Sequence, residues 1–324
     1  MAAEGVSRLS PFRWLSPGGA GARLSIFIFH RVLPQPDPLL PDEPDAARFD
    51  RIVALLARHF HVLPLSEAAA ALAEGRLPPA AACITFDDGY ADNHDVAAPI
   101  LRRHGLSATF FIATGYIDGG RMWNDTIIEA VRRAPDGHHD WRAHEGIEFD
   151  VSDVPSRVRA YSAMLKRLKH LEPAQRQRHV DGIAEVAGLA SHSDLMMSRA
   201  QVVALRDMGM EIGAHTISHP ILRSVSDAEA RREVFAGRDI LEDWLRERPR
   251  VFAYPNGVPG SDYGERDVQI VKDAGFLAAV STSPGVSTVN SDRFQLRRFT
   301  PWDQSMGRFA LRCALNILRS PAAV

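Results

Sequence analysis

Short apolar runs and helically spaced apolar residues alternate along most of this 324-residue chain. Uninterrupted apolar runs predict buried strands over 23–32, 82–86, 108–113, 210–214, 250–254 and 276–281. Helical spacing predicts helices over 49–60, 96–101, 199–208, 227–246, 268–274 and 309–318. Strands that alternate with helices over short connections are typical of a parallel α/β architecture, so we expect that fold class.

Three segments lie outside this rhythm. Residues 1–22 are punctuated by Gly, Ser and Pro and are expected to form a flexible tail. Residues 118–198 are polar and His-rich but carry helically spaced apolar residues, which predicts a mainly helical insertion. We therefore expect an α/β domain over 23–302 that contains this insertion, followed by a C-terminal helix within 303–324.

The composition and the lengths of the apolar runs argue against several classes of protein. Lys and Arg number 38 and Asp and Glu 40, so the net charge of −2 does not favour nucleic-acid binding. Two cysteines cannot build a disulfide framework or a cysteine-based zinc site. No apolar run approaches the roughly 18 residues of a membrane span, and no secretory signal is recognisable. The chain as printed is expected to be cytoplasmic, or periplasmic or extracellular if its true start lies upstream. No oligomeric state is predicted.

Two adjacent carboxylates, Asp87 and Asp88, directly follow the apolar strand over 82–86. The carboxyl ends of strands are where α/β barrels place their active sites. Because adjacent side chains at a strand end point in different directions, one carboxylate can bind a cation while the other faces a substrate. Taken alone, the Asp-Asp-Gly sequence also fits an ordinary turn.

Two histidines, His215 and His219, follow another apolar strand in the sequence His-Thr-Ile-Ser-His. Side chains at i and i+4 share one face of a helical turn, where two imidazoles can bind one zinc ion. Together with one Asp they supply three protein ligands and leave a position open, as in catalytic zinc sites. Most other histidines, including those in the polar stretch 136–144, are expected to be structural or solvated.

A third motif, Tyr254-Pro255-Asn256-Gly257, follows the strand over 250–254. The sequence predicts a tight turn, and such a turn can aim backbone N–H groups at a developing oxyanion. An ordinary Pro-Asn-Gly turn explains the same residues, so this motif alone does not indicate catalysis.

In their order, these motifs resemble those of the polysaccharide deacetylase family, the NodB-homology carbohydrate esterases. They read Thr-Phe-Asp-Asp-Gly, His-Thr-Ile-Ser-His and Ala-Tyr-Pro-Asn-Gly, supported by Ala-Thr-Phe-Phe at 108–111. The resemblance covers about 23–117 and 199–300 and implies a distorted, incomplete (β/α) barrel. It also implies a hydrolase that removes an N-acetyl group from an amino sugar of a polysaccharide or glycan precursor.

The resemblance implies a role for each motif residue. Asp88, His215 and His219 become the ligands of one divalent metal, favouring Zn²⁺, with Co²⁺, Ni²⁺ or Fe²⁺ fitting the same ligands. Asp87 becomes the general base that deprotonates a water molecule. The backbone N–H of Asn256 becomes a donor to the oxyanion.

The chain departs from the common family pattern in two places. Most members carry the general acid on a C-terminal His, but no histidine follows His219 here. The chain resembles instead the permuted poly-N-acetylglucosamine deacetylase branch, which makes His30 the general acid, although a His that only ends a buried strand fits as well. Many members also carry an Arg where this chain has Ala253, and Arg297 or Arg298 is expected to supply that charge.

Substrate contacts are predicted for Tyr254, Pro255, Trp123, Trp302 and Arg298, with core packing as the alternative for the aromatic residues. The expected partner is a carbohydrate. One alternative is a deformylase or deacetylase of a lipid-linked or nucleotide-linked sugar, with a substrate at a membrane surface. A second is a catalytically weak homologue that binds glycan.

Overall fold

The strand–helix rhythm builds a parallel sheet in the computed structural model, which describes residues 10–144, 147–169, 171–300 and 303–319. The strands are β1 (Ser25–Phe29), β2 (His61–Val62), β3 (Ala81–Phe86), β4 (Thr109–Ile112), β5 (Gly137–Asp140), β6 (Glu148–Val151), β7 (Glu211–Ala214), β8 (Val251–Ala253), β9 (Ala278–Pro284) and β10 (Leu296–Arg298). The helices are α1 (Pro11–Leu15), α2 (Ala46–His59), α3 (Leu65–Ala73), α4 (Ala98–Arg103), α5 (Trp123–Arg133), α6 (Val154–Leu168), α7 (Pro173–Val186), α8 (Arg199–Asp207), α9 (Asp227–Leu245), α10 (Glu265–Asp273) and α11 (Met306–Leu318). Short 3₁₀ or π turns lie at Gly19–Gly21, Asn93–Ala97, Thr114–Tyr116, Arg142–His144 and Leu222–Ser224.

Most of the strands form one nearly closed barrel. Their order is β1-β3-β4-β7-β8-β9-β10, with β2 added beside β3, and the pairings are parallel. The two ends of this path meet at a seam, where the Ile28 N–H donates to the Phe299 carbonyl at 3.1 Å and the Phe299 N–H to Ile26 at 2.7 Å. A second bridge pairs Leu24 with Ser287, and among the described residues no strand pairing closes the rest of the seam. The predicted incomplete (β/α) barrel is confirmed.

Alternate residues of each strand point to opposite faces of the barrel wall. One set, including Phe86, Phe110 and Phe252, packs in the cluster that contains α2, α4, α8, α9 and α10. The other set packs inside the barrel and includes Cys83, Phe111, Val251, Ala253 and Leu296. At the carboxyl end, Asp87 continues the inward face of Cys83 and Arg298 continues that of Leu296, so both side chains enter the barrel.

The chain divides into two compact units. The first comprises Met1–Gln35, Asp42–Ile117 and Met197–Val324 and contains the barrel. The second comprises Pro36–Pro41 and Asp118–Met196, in which α5, α6 and α7 enclose a separate apolar core. The polar stretch 136–144 contains an exposed strand, β5, which pairs with β6 as an antiparallel hairpin.

The described part of the N-terminal segment, residues 10–22, differs from the flexible tail expected there. Pro11 begins α1, and the Phe12 side chain is buried with its ring 4.6 Å from that of Phe60. Hydrogen bonds from the Gly19 N–H to the Leu77 carbonyl at 2.8 Å and from the Ala80 N–H to the Ser16 carbonyl at 2.9 Å also hold this segment on the barrel. None of the described helices has both the length and the mean hydropathy that crossing a membrane requires.

Candidate active site

A carboxylate and a guanidinium form a buried ion pair at the carboxyl end of the barrel. Asp87, directly after β3, is 3% exposed, and Arg298, the last residue of β10, is 1% exposed. Arg298 donates from Nη1 to Asp87 Oδ1 and from Nη2 to Oδ2, each at 2.7 Å. Its Nε also donates to the Ser281 carbonyl at 2.9 Å, so the guanidinium plane is fixed at both edges.

Of the two arginines considered from the sequence, Arg298 contacts the carboxylate. Arg297 donates from Nη1 to the carbonyl of Pro284 at 3.2 Å. The alternation of the strands explains the difference, because Arg298 lies on the inward face of β10 and Arg297 does not. Ala253 also faces inward, but its side chain is only a methyl group. The positive charge that this position lacks is supplied by Arg298, from a different strand.

Opposing effects set the pKa of Asp87. Burial raises this pKa. The charges of Arg298, His215 and His30 and the hydrogen bonds from Arg298 lower the pKa by more than burial raises it. The resulting pKa lies below the ordinary value, so Asp87 is an ionised carboxylate at neutral pH.

Three further side chains of the motifs converge on one point. Nε2 of His215 lies 3.4 Å from Asp88 Oδ1, and Nε2 of His219 lies 3.5 Å from the same oxygen. The three potential ligand atoms all lie within 4.8 Å of one another. Nδ1 of His215 is 2.7 Å from the Ala253 carbonyl, which can only accept, so Nδ1 donates there and Nε2 is the nitrogen that faces Asp88.

The geometry of this trio fits a divalent metal. Asp88 Oδ1 is buried and has no hydrogen-bond partner among the described residues, an arrangement that costs about 1–3 kcal/mol unless another group satisfies it. Zinc–ligand bonds of about 2.0–2.2 Å at tetrahedral angles place ligand atoms about 3.3–3.6 Å apart. The separations of 3.4 and 3.5 Å from Asp88 to the two imidazoles lie in this range.

The protonation states of two of these groups suit metal binding. Burial raises the pKa of Asp88, but His215, His219 and His30 lower it more, so the carboxylate is ionised. Burial lowers the pKa of His219 to about 4, which leaves its imidazole neutral. The pKa of His215 is raised, because Asp88 and Asp87 together outweigh the effect of burial.

A loop, and not the helical turn predicted from the i, i+4 spacing, brings the two histidines together. Thr216 and His219 have φ values of +65° and +53°, which a helix excludes. The His215 and His219 rings are nevertheless 4.8 Å apart between centroids.

Glu233, on α9, holds this loop and was not recognised from the sequence. It is fully buried and accepts hydrogen bonds from the N–H groups of Ile217 and Ser218 and from the Ser218 hydroxyl, each at 2.8 Å. One turn along α9, a Cβ on Gly237 would lie 3.0 Å from the carbonyl carbon of Thr216, so the helix approaches the loop closely. The sequence offered one signal of this role, because Glu233 is an acidic residue on the otherwise mainly apolar stripe that α9 buries.

His30 joins the same site from the end of β1. Its carbonyl accepts a hydrogen bond from Asn93 Nδ2 at 2.8 Å, which fixes its backbone. The charge of its imidazole contributes to lowering the pKa values of Asp87 and Asp88, so it lies within electrostatic range of both. The structure thus brings Asp88, His215 and His219 together beside Asp87, with His30 within electrostatic range of the two carboxylates.

A second group of charges adjoins His30 and was also missed from the sequence. Asp92 accepts from Arg31 Nε at 2.8 Å and from the Val32 N–H at 3.1 Å. Burial raises the pKa of Asp92 and of Glu43, and Glu43 interacts electrostatically with His30 and Arg31. Arg31 and Asp92 are close in sequence to His30 and to the Asp-Asp-Gly motif and Glu43 is not, but no spacing rule distinguishes any of the three from a surface charge.

The predicted oxyanion turn follows β8. Asn256 and Gly257 have φ values of +58° and +76°, a backbone conformation that Asn and Gly tolerate better than other residues. Thr282 Oγ1 donates to the Asn256 carbonyl at 2.8 Å and holds the turn in place. Within the described residues, the Asn256 N–H has no hydrogen-bond partner, which leaves it available as a donor.

The residues predicted to contact substrate lie in different structural environments. The Tyr254 ring is fully buried and stacks on Tyr263 at 3.8 Å, so its side chain belongs to the core. Pro255 is buried as well. Trp123 begins α5 in the second unit, with the Arg176 guanidinium 4.8 Å over its ring. Trp302 lies outside the described residues, and substrate contacts of the two tryptophans stay predictions.

A profile of the polysaccharide deacetylase family matches residues 74–279. The chain belongs to the polysaccharide deacetylase family. The matched range contains Asp87, Asp88, His215, His219 and Asn256, as the motifs predicted. It does not reach His30, which follows β1, or Arg298, which ends β10, so a role for either residue depends on the geometry.

Known proteins agree with this membership and with the barrel. Over 215 residues the chain is 20% identical to YxkH of Bacillus subtilis (strain 168), which is named as a polysaccharide deacetylase. That match covers 66% of this chain and 49% of YxkH, so the chain spans about half the length of this relative. The structure of Streptococcus pyogenes deacetylase PplD in complex with acetate has a TM-score of 0.60 at 18% identity, covering 90% of this chain and 97% of PplD. IcaB from Ammonifex degensii has a TM-score of 0.59 at 18% identity, covering 94% of this chain and 99% of IcaB.

Proposed function

We propose that this polysaccharide deacetylase is a metal-dependent hydrolase that removes an N-acetyl group from an amino sugar of a polysaccharide or glycan precursor. The observation that carries the proposal is the placement of an ionised, rigidly held Asp87 next to the Asp88–His215–His219 trio. A general base beside three ligands for one metal is the arrangement that amide hydrolysis by an activated water requires.

Each side chain has one task in this reaction. A divalent metal held by Asp88, His215 and His219 supplies Lewis acidity, which polarises an amide carbonyl and lowers the pKa of water. Asp87 accepts the proton of the attacking water. The Asn256 N–H donates to the oxygen on which negative charge develops.

His30 and Arg298 complete the proposed reaction. His30 donates a proton to the nitrogen as the C–N bond breaks, so that the sugar leaves as an amine. Arg298 does not touch the substrate; it positions Asp87 and keeps this carboxylate ionised. A catalytically weak, glycan-binding homologue was favoured by Ala253 and by the missing C-terminal His. Arg298 and His30 offer replacements for both, which is why we favour the enzyme.

Metal content tests the first half of the proposal without a choice of substrate. Purified protein is expected to hold about one metal ion per chain, and His215→Ala is expected to lose it. His104→Ala is the matched control, because His104 pairs with Asp50 and is not part of the trio. Absence of metal from the wild-type chain, even after incubation with zinc or cobalt, would contradict the proposal.

Product release tests the second half. Oligomers of N-acetylglucosamine are incubated with the metal-loaded chain, and acetate and new amine are both quantified. Equal amounts of the two products, both abolished in Asp87→Asn, are expected. Formate from an N-formylated sugar, with no acetate from the N-acetylated one, would assign the alternative deformylase activity.

A further inference from the structure

The imidazole of the proposed general acid, His30, is half-buried directly after β1. Among the described residues, none forms a hydrogen bond with this ring. Glu43, Asp87 and Asp88 interact with it through charge. Because an interaction of this kind does not require one geometry, the placement of the imidazole depends on how the main chain around His30 is held.

The main chain of His30 is held directly by Asn93. The His30 carbonyl accepts a hydrogen bond from Asn93 Nδ2 at 2.8 Å. The same nitrogen also donates to Asp92 Oδ1 at 3.2 Å. Asn93 is fully buried, and its Oδ1 has no hydrogen-bond partner within the described part of the chain. The side chain of Asn93 therefore acts as a donor, and its nitrogen is the atom that connects it to the acid.

Asp92 holds the two residues that follow His30. Its Oδ1 accepts a hydrogen bond from the Val32 N–H at 3.1 Å, and its Oδ2 accepts one from Arg31 Nε at 2.8 Å. Asp92 is 7% exposed, so little solvent competes for these bonds. The Arg31 guanidinium also lies 4.9 Å over the ring of Tyr90. One carboxylate and one amide thus bind the acid and the two residues after it.

The segment that provides these contacts also carries the proposed base. Asp87 and Asn93 belong to one stretch, residues 87–93, which follows β3 directly. The Asp87 N–H donates to the carbonyl of Phe29, the residue before His30, at 3.0 Å. The chain on both sides of the acid is therefore bonded to the stretch that begins with the base. A misplacement of about 1 Å can cost about 10²-fold in rate, so these bonds bear on catalysis.

We propose that Asn93 and Asp92 are positioning residues that hold His30 where it can protonate the leaving nitrogen. The inference rests on the proposed function, since it takes His30 as the general acid. Asn93 acts through the carbonyl of His30, and Asp92 acts through the two residues that follow. Both affect one step, in which a proton passes from the imidazolium to the nitrogen as the C–N bond breaks. The attack of water, which depends on Asp87, is expected to be unaffected.

Substrates that differ in their leaving group test this assignment. An amine needs a proton in order to leave, whereas the phenolate of 4-nitrophenyl acetate leaves without one. Asn93→Leu removes the amide donor at nearly the same side-chain volume. In the metal-loaded chain this variant is expected to lower kcat for N-acetylglucosamine oligomers about 10–10²-fold, with KM and aryl-ester turnover changed by less than about twofold. Asp92→Asn keeps an oxygen for the Val32 N–H but loses the charge that faces Arg31, so a smaller loss with the same selectivity is expected.

Two further variants distinguish positioning from a general loss of structure. Asp95→Asn is the matched control, because the exposed Asp95 carboxylate contacts His94 and Gln201 instead of the chain around the acid. It is expected to turn over both substrates like the wild type. His30→Ala should show the same selective loss on the amide, and adding Asn93→Leu to it should cause no further loss. Equal losses of Asn93→Leu on both substrates, or a further loss in the double variant, would overturn the proposal.

A measurement without turnover separates this inference from the proposed function. In the zinc-loaded chain with labelled histidines, the Cε1–H NMR signal of His30 is the one that disappears in His30→Ala. It is expected to shift in Asn93→Leu and Asp92→Asn and to stay in place in Asp95→Asn, and an unshifted signal in both of the first two would overturn the inference. If the signal shifts but His30→Ala keeps full amide turnover, the positioning is retained and the acid role is rejected. If His30→Ala loses amide turnover and Asn93→Leu does not, the acid role is retained and the positioning is rejected.

Discussion

Replacing Arg298 by Met removes the charge that holds Asp87 while keeping an unbranched side chain in the same space. The carboxylate then stays buried without its two hydrogen bonds of 2.7 Å. Burial is the effect that raises the pKa of Asp87, and Arg298 is the largest of those that lower it. The variant should therefore have a raised Asp87 pKa and a base that is partly protonated and free to rotate.

The magnitude follows from the burial of the pair. Removing one partner of a buried ion pair costs about 3–5 kcal/mol of unfolding free energy, and exposures of 1% and 3% leave little solvent screening to reduce it. A general base contributes about 10²–10⁴-fold to a rate, so a loss of at least about 10²-fold in kcat is expected. Since a general base acts only in its ionised form, activity is expected to fall as the pH drops through the pKa of Asp87. The acid limb of the pH–rate profile should move to higher pH.

Acetate release is measured from pH 5 to 9 for the wild type, Arg298→Met, Arg298→Lys and Arg297→Met, with unfolding curves for each. The Lys variant keeps the charge but loses the second hydrogen bond, so an intermediate loss is expected. The adjacent Arg297 is the matched control, because it binds a main-chain carbonyl instead of the carboxylate. The reasoning would be refuted if Arg298→Met kept the wild-type turnover and the acid limb of its pH–rate profile did not shift. It would also be refuted if Arg297→Met showed the same losses.

Three further substitutions test the other parts of the site. Asp87→Asn is expected to retain the metal and lose about 10²–10⁴-fold in turnover; joint loss of the metal would make Asp87 a ligand. His30→Ala should lower kcat for amide substrates by a similar factor with metal content unchanged, and unaltered turnover would place the general acid elsewhere. Glu233→Gln should weaken metal binding about 10–100-fold in a chelator competition, because its hydrogen bonds hold the loop before His219. Undiminished affinity would limit Glu233 to a structural role.

The residues that could be predicted from the sequence carry a local signal. Asp87 and Asp88 end an apolar run, and His215 follows another, so each lies at the carboxyl end of a strand whose existence the run already predicts. Parallel strands bring such ends to one edge of the sheet, whatever the separation along the chain. The helices of the insertion at 118–198 could be predicted for the same reason, since the spacing of their apolar residues is a local pattern.

The residues that could not be predicted depend on contacts between distant segments. Strand β10 has three residues, too few for any periodicity, and the choice between Arg297 and Arg298 depends on which face of that strand each occupies. Glu233 lies on the apolar stripe of α9, but only the packing of that helix shows which main-chain groups the acid binds. The helical turn expected at His219 gave way to a loop because that acid binds two consecutive N–H groups there.

The two departures from the family pattern have a common structural origin. His30 follows β1 and Arg298 ends β10, and these are the two strands that meet at the barrel seam. The Phe27 and Phe299 rings pack edge to face across it at 5.8 Å, and the backbone of Phe299 bonds to both Ile26 and Ile28. The proposed acid and the arginine that orients the base are therefore positioned by the same short contact.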